Sequence, residues 1–380
     1  MAILELAFGR ARLIWVEWTQ LQHDNRLRRR RAQTLIDQDT ADAIRAMPKI
    51  DLHRHLEGSL RLETLLAIAL EHQITMPRFD IDGLRPFVQI MPGETRSMTH
   101  FLNKFAVLRM FYRSEKIIKR VTAEVVADAA HDNIRYMELR FTPQALNNLI
   151  QCTFDQVVGW VCEAAMQSAA EHNIQVGLII SMNRHESLEI GERVLVAAMQ
   201  YADYGVVGLD LAGREVDYRA EPFRGLFDRA REAGMGVTIH AGEWSGPDSV
   251  REAVCNLSAE RIGHGVRAAE DPELCDLLAE RGTVLEVCPT SNYHSGVVAG
   301  YDVHPLTTLI QRGVRTTINT DDPLISNITL SDELVNVTSF MPLTLAEVKR
   351  QQLIAAESAF LKPEARAKLV TQFREWMTPS

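Results

Sequence analysis

A chain of 380 residues, 46% hydrophobic and 24% charged, has the composition of a globular domain of the larger α/β kind. Lys and Arg number 41 against 50 Asp and Glu, a formal charge of -9, which argues against a nucleic-acid backbone as the main partner. Five widely spaced cysteines without a C-x-x-C pair exclude a disulfide framework and a cysteine zinc site, and no apolar run is long enough for a membrane span.

Residues 1–47 read as an N-terminal helical extension. The stretch 2–18 mixes apolar residues with charges and is predicted to be helical. Glu5, Arg10 and Arg12 interrupt it, so it does not read as a secretory leader, and the expectation is a cytoplasmic protein. The basic run 26–31 reads as a solvated face, and Trp15 and Trp18 offer packing surface to the main domain or to a second subunit of a homo-oligomer. Asp39-Thr40 is expected to cap a short helix ending at 45–47.

From residue 48 to 380 a different pattern sets in. Eight β-rich runs, at 50–55, 136–141, 176–181, 206–211, 237–240, 261–264, 284–288 and 315–321, alternate with helical stretches such as 223–233, 249–255, 272–280 and 305–311. Strands alternating with helices imply a parallel sheet, and eight such units imply a closed (β/α)8 TIM barrel. An open doubly wound sheet would want a glycine-rich phosphate turn after its first strand, and none is present. The connection at 56–135 is too long for a simple crossover and reads as a helical insertion after strand 1. Within it, 97–112 places Met98, Phe101, Leu102, Phe105, Leu108, Met110 and Phe111 at helical spacing, as a lid over a flat apolar ligand or as a helix docked on the barrel wall. The segment 334–380 reads as helices around the barrel, one opened by a capping box from Thr344 to Glu347.

The strand ends hold the chemistry. His53 and His55, two apart on the first strand, face the same way, while His240 ends the fifth strand and Asp321 the eighth. Three imidazoles and one carboxylate with a position left for water suit a single Zn²⁺, which lowers the pKa of water from about 15.7 to about 7. Glu243 follows His240 closely enough to move protons without binding the ion, His264 ends the sixth strand, and Asp322 follows Asp321. Gly213, after the fourth strand, lets a ligand approach the backbone N–H. Taken singly, each of these residues reads equally well as a packed or turn residue. Their joint fall at successive strand ends does not. A two-metal site would need a bridging carboxylate or modified lysine near the fourth strand, where the chain offers Leu211, Ala212 and Gly213, so one metal is favoured.

At these residues the chain resembles the adenosine deaminase family of the amidohydrolase superfamily. The matching motifs are the stretch 48–59 with His53-Arg54-His55-Leu56-Glu57-Gly58, then Asp210-Leu211-Ala212-Gly213, His240-Ala241-Gly242-Glu243, Arg261-Ile262-Gly263-His264-Gly265 and Asn319-Thr320-Asp321-Asp322-Pro323. The resemblance implies one zinc per chain held by His53, His55, His240 and Asp321. It implies that Glu243 protonates N1 of a purine during attack at C6, that His264 orients or deprotonates the attacking water, that Asp322 meets N7 and that the Gly213 N–H meets N3. The implied reaction is hydrolytic deamination of adenosine and 2′-deoxyadenosine.

Two departures bear on the substrate. Glu57 stands where adenosine-specific members usually have Asp against the ribose, as in branches that deaminate adenine and other purines. Arg214-Glu215 replaces the more usual Asp-Glu, and Arg214 either meets a substituted 5′ position or is simply exposed, the second being slightly favoured. Free adenine, or a modified or 5′-substituted adenine nucleoside, is therefore the alternative substrate. More distant alternatives are a cyclic amide hydrolase and a non-catalytic binding protein on the same scaffold.

Overall fold

The computed structural model describes residues 36–377 except residue 77. The expected helix at 2–18, the basic run 26–31 and both Trp15 and Trp18 lie outside the described residues. Eight parallel strands follow one another around a single sheet in sequence order: β1 (Lys49–His55), β2 (Ile134–Phe141), β3 (Gln175–Asn183), β4 (Val206–Ala212), β5 (Gly236–Ala241), β6 (Arg261–His264), β7 (Val284–Val287) and β8 (Arg315–Ile318). This is the (β/α)8 barrel expected from the alternation of strand and helix. Among the described residues no helix is long and apolar enough to cross a membrane.

Strand alternation sorts the side chains into two populations. Leu209 and Leu211 of β4, Val237 and Ile239 of β5, and Leu285 and Val287 of β7 join the apolar layer between sheet and helices. Ile50 and Leu52 of β1 pack instead on the last two helices, against Ala355, Ala356 and Phe373. The intervening residues His53, Glu138, Arg140, Asp210, Thr238, His240, Arg261 and Glu286 are buried and bond to one another across the barrel, and the buried Asp51 accepts from Thr320. The interior of this barrel is thus polar and charged, unlike the branched aliphatic layers usual in the fold.

The barrel closes between β8 and β1 by other means than a full ladder. The Leu52 N–H donates to Asn319 Oδ1 at 2.9 Å, the Ile50 N–H to Gln352 Oε1 at 2.6 Å, and Thr316 Oγ1 to Gln351 Oε1 at 2.7 Å. Gln351 and Gln352 belong to the helix Leu345–Ser358, which opens with the expected Thr344–Glu347 capping box. Side chains from that helix fill the seam and satisfy strand-edge groups that would otherwise be buried unpaired. Past the end of β8, the Asp321 N–H bonds to His53 O and the His55 N–H to Asp321 O, both at 2.8 Å.

The insertion after β1 contains the helices Leu62–Glu71, Ile81–Val88, Met98–Leu108 and Glu115–His131. The helix Met98–Leu108 realises both readings of its apolar stripe. Phe101, Leu102 and Phe105 line the cavity over the strand ends, whereas Leu108, and Phe111 in the turn that follows the helix, are buried in the core. The short helix Gln38–Ala46 is capped by Asp37, whose side chain accepts from the Thr40 N–H, and not by the expected Asp39-Thr40. The cap lies where the backbone is still extended, one residue before the first helical one.

Candidate active site

At the carboxyl ends of the strands a cavity of about 370 Å³ opens between the barrel mouth and the helix Met98–Leu108. His53, His55, His240 and Asp321 converge on its floor, with one ligand atom from each lying within 4.8 Å of all the others. His53 Nε2 and His55 Nε2 each lie 3.3 Å from Asp321 Oδ1, and His55 Nε2 lies 3.2 Å from His240 Nε2.

The strands position these atoms. In β1 the pairing with β2 shifts register between Asp51 and Arg54, a local irregularity that coincides with His53. In β6 Gly263 leaves room for the imidazoles, because a Cβ there would sit 3.0 Å from His53 Cε1 and 3.1 Å from His240 Cγ. Asp321 does not end β8 as the sequence suggested. The strand stops at Ile318, and Asp321 is held three residues later by a single parallel bridge to Arg54. Its φ of 59° and the φ of 61° at His264 are left-handed, a conformation costing roughly 1–3 kcal/mol in a non-glycine residue and typical of working sites.

Each converging group is held from behind. His53 Nδ1 bonds to Glu286 Oε2 at 2.8 Å and His240 Nδ1 to Asp210 Oδ1 at 2.9 Å, so in both rings Nε2 presents its lone pair to the cluster. His53 Nε2 is buried and makes no hydrogen bond. Ser291 Oγ donates to the second Asp321 oxygen, Oδ2, at 2.6 Å. Two facing imidazole nitrogens, a buried lone pair without a donor and a carboxylate among them form a donor set that fits a borderline-soft divalent cation such as zinc. Glu286 also accepts from Arg140, Thr238 and Arg261, and against the opposing effect of burial the two arginines hold its carboxyl well below the usual range.

Beside the cluster stand three further titratable groups, Glu243, His264 and Asp322. Glu243 is buried, and burial first, then the neighbouring carboxylates of Asp321 and Glu215, push its carboxyl well above the usual range. A divalent cation at the cluster pulls in the opposite direction. Glu243 Oε2 lies 3.6 Å from His264 Nε2. Burial keeps the His264 ring well below the ordinary imidazole value, hence neutral. Asp322 is pushed up by burial and by Asp321, and its Oδ1 is buried without a partner. Gly58 makes room for it, since a Cβ on Gly58 would fall 1.8 Å from that same oxygen.

At the far end Glu57 accepts the Thr142 N–H through Oε1 at 2.7 Å, leaves Oε2 buried and unpartnered, and is pushed up to about 7 by burial. Gly213, with φ 94°, lines the cavity between these groups. Arg214 also lines it, but its side chain is 45% exposed and pairs with Asp217, so it is both a wall residue and a solvated one.

Every site residue expected from the sequence therefore lies in or against one cavity. Sequence reasoning missed the groups that hold them. Glu215 accepts the backbone N–H groups of Gly242, Glu243, Trp244 and Ser245 at 2.5–3.1 Å and so fixes the turn bearing Glu243. Asp210, Arg140 and Glu286 stood in plain view as charges within otherwise apolar strand runs, a signal that marks inward-facing strand positions. Asn292 and His304, behind His264, carried no such mark.

A family model described as "Adenosine deaminase" matches residues 48–376. The adenosine deaminase of Shewanella denitrificans is 37% identical over 325 residues, covering 86% of this chain and 98% of that one. Among solved structures, an adenine deaminase from Arthrobacter aurescens superposes with a TM-score of 0.77 at 26% identity, covering 87% of this chain and 99% of its own. An amidohydrolase from Burkholderia ambifaria with bound zinc superposes with a TM-score of 0.77 at 25% identity, over 90% and 94% of the two chains. With its barrel, its cluster of three histidines and an aspartate, and identity of this extent along nearly the whole relative, this chain belongs to the adenosine deaminase family.

Proposed function

We propose that this protein is a zinc-dependent adenosine deaminase that hydrolyses adenosine and 2′-deoxyadenosine at C6, giving the 6-oxopurine nucleoside and ammonia. The observation that carries the reading is a buried Glu243 carboxyl standing beside His264 and the four-residue cluster in one cavity. His53, His55, His240 and Asp321 would hold the ion. When bound, zinc supplies Lewis-acid activation of water at neutral pH.

The other steps belong to the chain. A neutral purine resists addition until N1 carries a proton, and Glu243 is the acid placed to give it. With N1 protonated, water adds to C6; the first proton it sheds restores Glu243, the second goes to the amine, and the amine leaves as ammonia as the C6–N bond breaks. His264 faces the same space as Glu243 and orients the adding oxygen. Asp322, kept neutral, donates to N7, while the Gly213 N–H meets N3. Phe101 and Phe105 exclude water above the ring plane, which strengthens each of these polar contacts. The free Oε2 of Glu57 accepts from a ribose hydroxyl.

A second reading, a 5′-substituted adenine nucleoside, is favoured by Arg109, which lines the same cavity with its Nε buried and unpartnered. The test is a side-by-side assay of adenosine, 2′-deoxyadenosine, adenine and adenosine 5′-monophosphate, following purine absorbance and ammonia. Turnover of adenosine and 2′-deoxyadenosine well ahead of the others is expected. A strong preference for the monophosphate moves the assignment to the second reading, and no turnover of any of them by zinc-loaded protein sinks both. Metal analysis of His240→Ala completes the test, with loss of stoichiometric zinc expected and unchanged zinc content counting against the ligand set.

A further inference from the structure

Behind His264, on the side away from the cavity, runs a chain of hydrogen bonds whose direction is fixed at its far end. The backbone N–H of Leu306 donates to His304 Nδ1 at 3.1 Å. A backbone N–H can only donate, so His304 Nδ1 must be unprotonated. A neutral imidazole with a bare Nδ1 holds its proton on Nε2. His304 Nε2 lies 3.2 Å from Asn292 Oδ1, and the Asn292 Nδ2 amide lies 3.2 Å from His264 Nδ1. The His304 N–H therefore donates to the Asn292 oxygen, and the Asn292 amide N–H has only His264 Nδ1 to meet in this chain. Both orientations of the amide cannot be satisfied, since a flipped Asn292 would set N–H against N–H at His304.

We infer that His304 and Asn292 are positioning residues that lock His264 as the Nε2–H tautomer, so that it enters the reaction as a hydrogen-bond donor to the adding oxygen and not as the base. All three side chains are buried, and no titratable group other than His264 touches Asn292 or His304 in this chain of bonds. Burial also keeps His304 uncharged, at about 3, so the direction of the chain persists across the neutral range. The consequence for the chemistry is a division of labour. His264 contributes Nε2–H toward the oxygen that adds to C6, and the proton that this oxygen sheds goes to Glu243, whose Oε2 lies 3.6 Å from that nitrogen. The residues lie in different elements: Asn292 on the short helix Pro289–His294 after β7, and His304 just before the helix Leu306–Gln311. The lock therefore depends on those two elements staying in register with β6.

This inference rests on the proposed deaminase reading for its catalytic meaning, but its first readout is independent of turnover. The holoenzyme would be labelled with ¹⁵N-histidine, and the His264 signals assigned by their loss in His264→Gln. A protonated Nε2 and a bare Nδ1 are expected. A proton on Nδ1 overturns the inference whatever the activity, so absence of deamination and failure of the lock are distinguishable. His304→Leu removes the donor and frees the amide to flip. Asn292→Asp replaces the amide with a group that can only accept, drawing the proton to His264 Nδ1. Both variants are expected to show a mixed or inverted tautomer, with kcat falling about 10- to 100-fold and KM within about twofold. His304→Gln, whose amide can donate from the same place, is expected to restore the Nε2–H signal and most of kcat. Retention of Nε2–H in His304→Leu and Asn292→Asp overturns the inference, and so does a fall in kcat without a change of tautomer. Should either variant fail to fold, the wild-type and His304→Gln spectra decide.

Discussion

Two carboxyl groups in the cavity, Glu243 and Glu57, make separable predictions at the residue scale. Glu243→Gln keeps the shape of the acid and removes its transferable proton. Zinc content is expected to stay at one per chain while kcat falls by about 10²–10⁴, and metal analysis alongside initial rates checks both. Glu57 is a stability matter as well as a binding one. Its folded value is raised from 4.5 to about 7 by burial, so below about pH 4.5 it is protonated in both states and contributes no pH dependence. Between 4.5 and about 7 the unfolded chain ionises first, and the folded state loses stability as pH rises, to a limit of about 3 kcal/mol. Glu57→Gln lacks this loss. Urea unfolding is expected to show the variant gaining about 3 kcal/mol on wild type between about pH 4 and about pH 8, whatever the constant offset from the new amide. Parallel pH curves for the two proteins would show that Glu57 ionises normally in the fold.

At the scale of elements, the turn after β5 shows how one carboxylate can govern the placement of another. Four consecutive backbone N–H groups converge on Glu215, and they are the groups that set where Glu243 points. In Glu215→Gln one acceptor oxygen becomes a donor facing those N–H groups. The expected result is a fall of about 10- to 100-fold in kcat with zinc retained, because the cluster residue His240 precedes the turn and stays within β5. Loss of zinc along with activity would mean that the turn supports the metal cluster too. The eight strands were legible in the sequence because each buries an apolar face against helices, and that face repeats every second residue. The cluster was legible because three imidazoles, a carboxylate and a further acid fall at or just past strand ends. What holds them was not. Glu286 serves His53, Arg140, Thr238 and Arg261, residues on four other strands, and pairings between distant strands follow from barrel register, which no local pattern states. Asp321 was legible as a member of the cluster but not as a left-handed residue beyond its strand, since only the bridge to β1 puts it there.

For the molecule as a whole, the start of the folded unit can be tested by truncation. The helix Gln38–Ala46 packs against the helix Leu330–Phe340, Ile44 is fully buried, and the buried Lys49 ammonium donates to the carbonyls of Ile44, Arg45 and Met47. Removing residues 1–47 takes away that buried side chain and leaves the Lys49 donors without these acceptors. It is expected to cost at least about 3 kcal/mol more than removing residues 1–35, measured by chemical unfolding of the two truncated proteins. Equal stability would place the start of the folded unit after the helix.

The polar column inside the barrel reaches further than the cavity. Arg261 bonds to Glu286 above, to Glu138 beside it and to the Ser358 carbonyl below, and its guanidinium lies 3.6 Å from the Phe360 ring centroid near the C-terminal helices. Glu286 in turn holds His53. The cluster face and the barrel floor are thus wired to a common carboxylate, so on the proposed reading a change at the floor retunes affinity for the ion from the opposite end of the molecule. Grafting the four ligands alone onto a greasy barrel would transplant the sockets without their wiring.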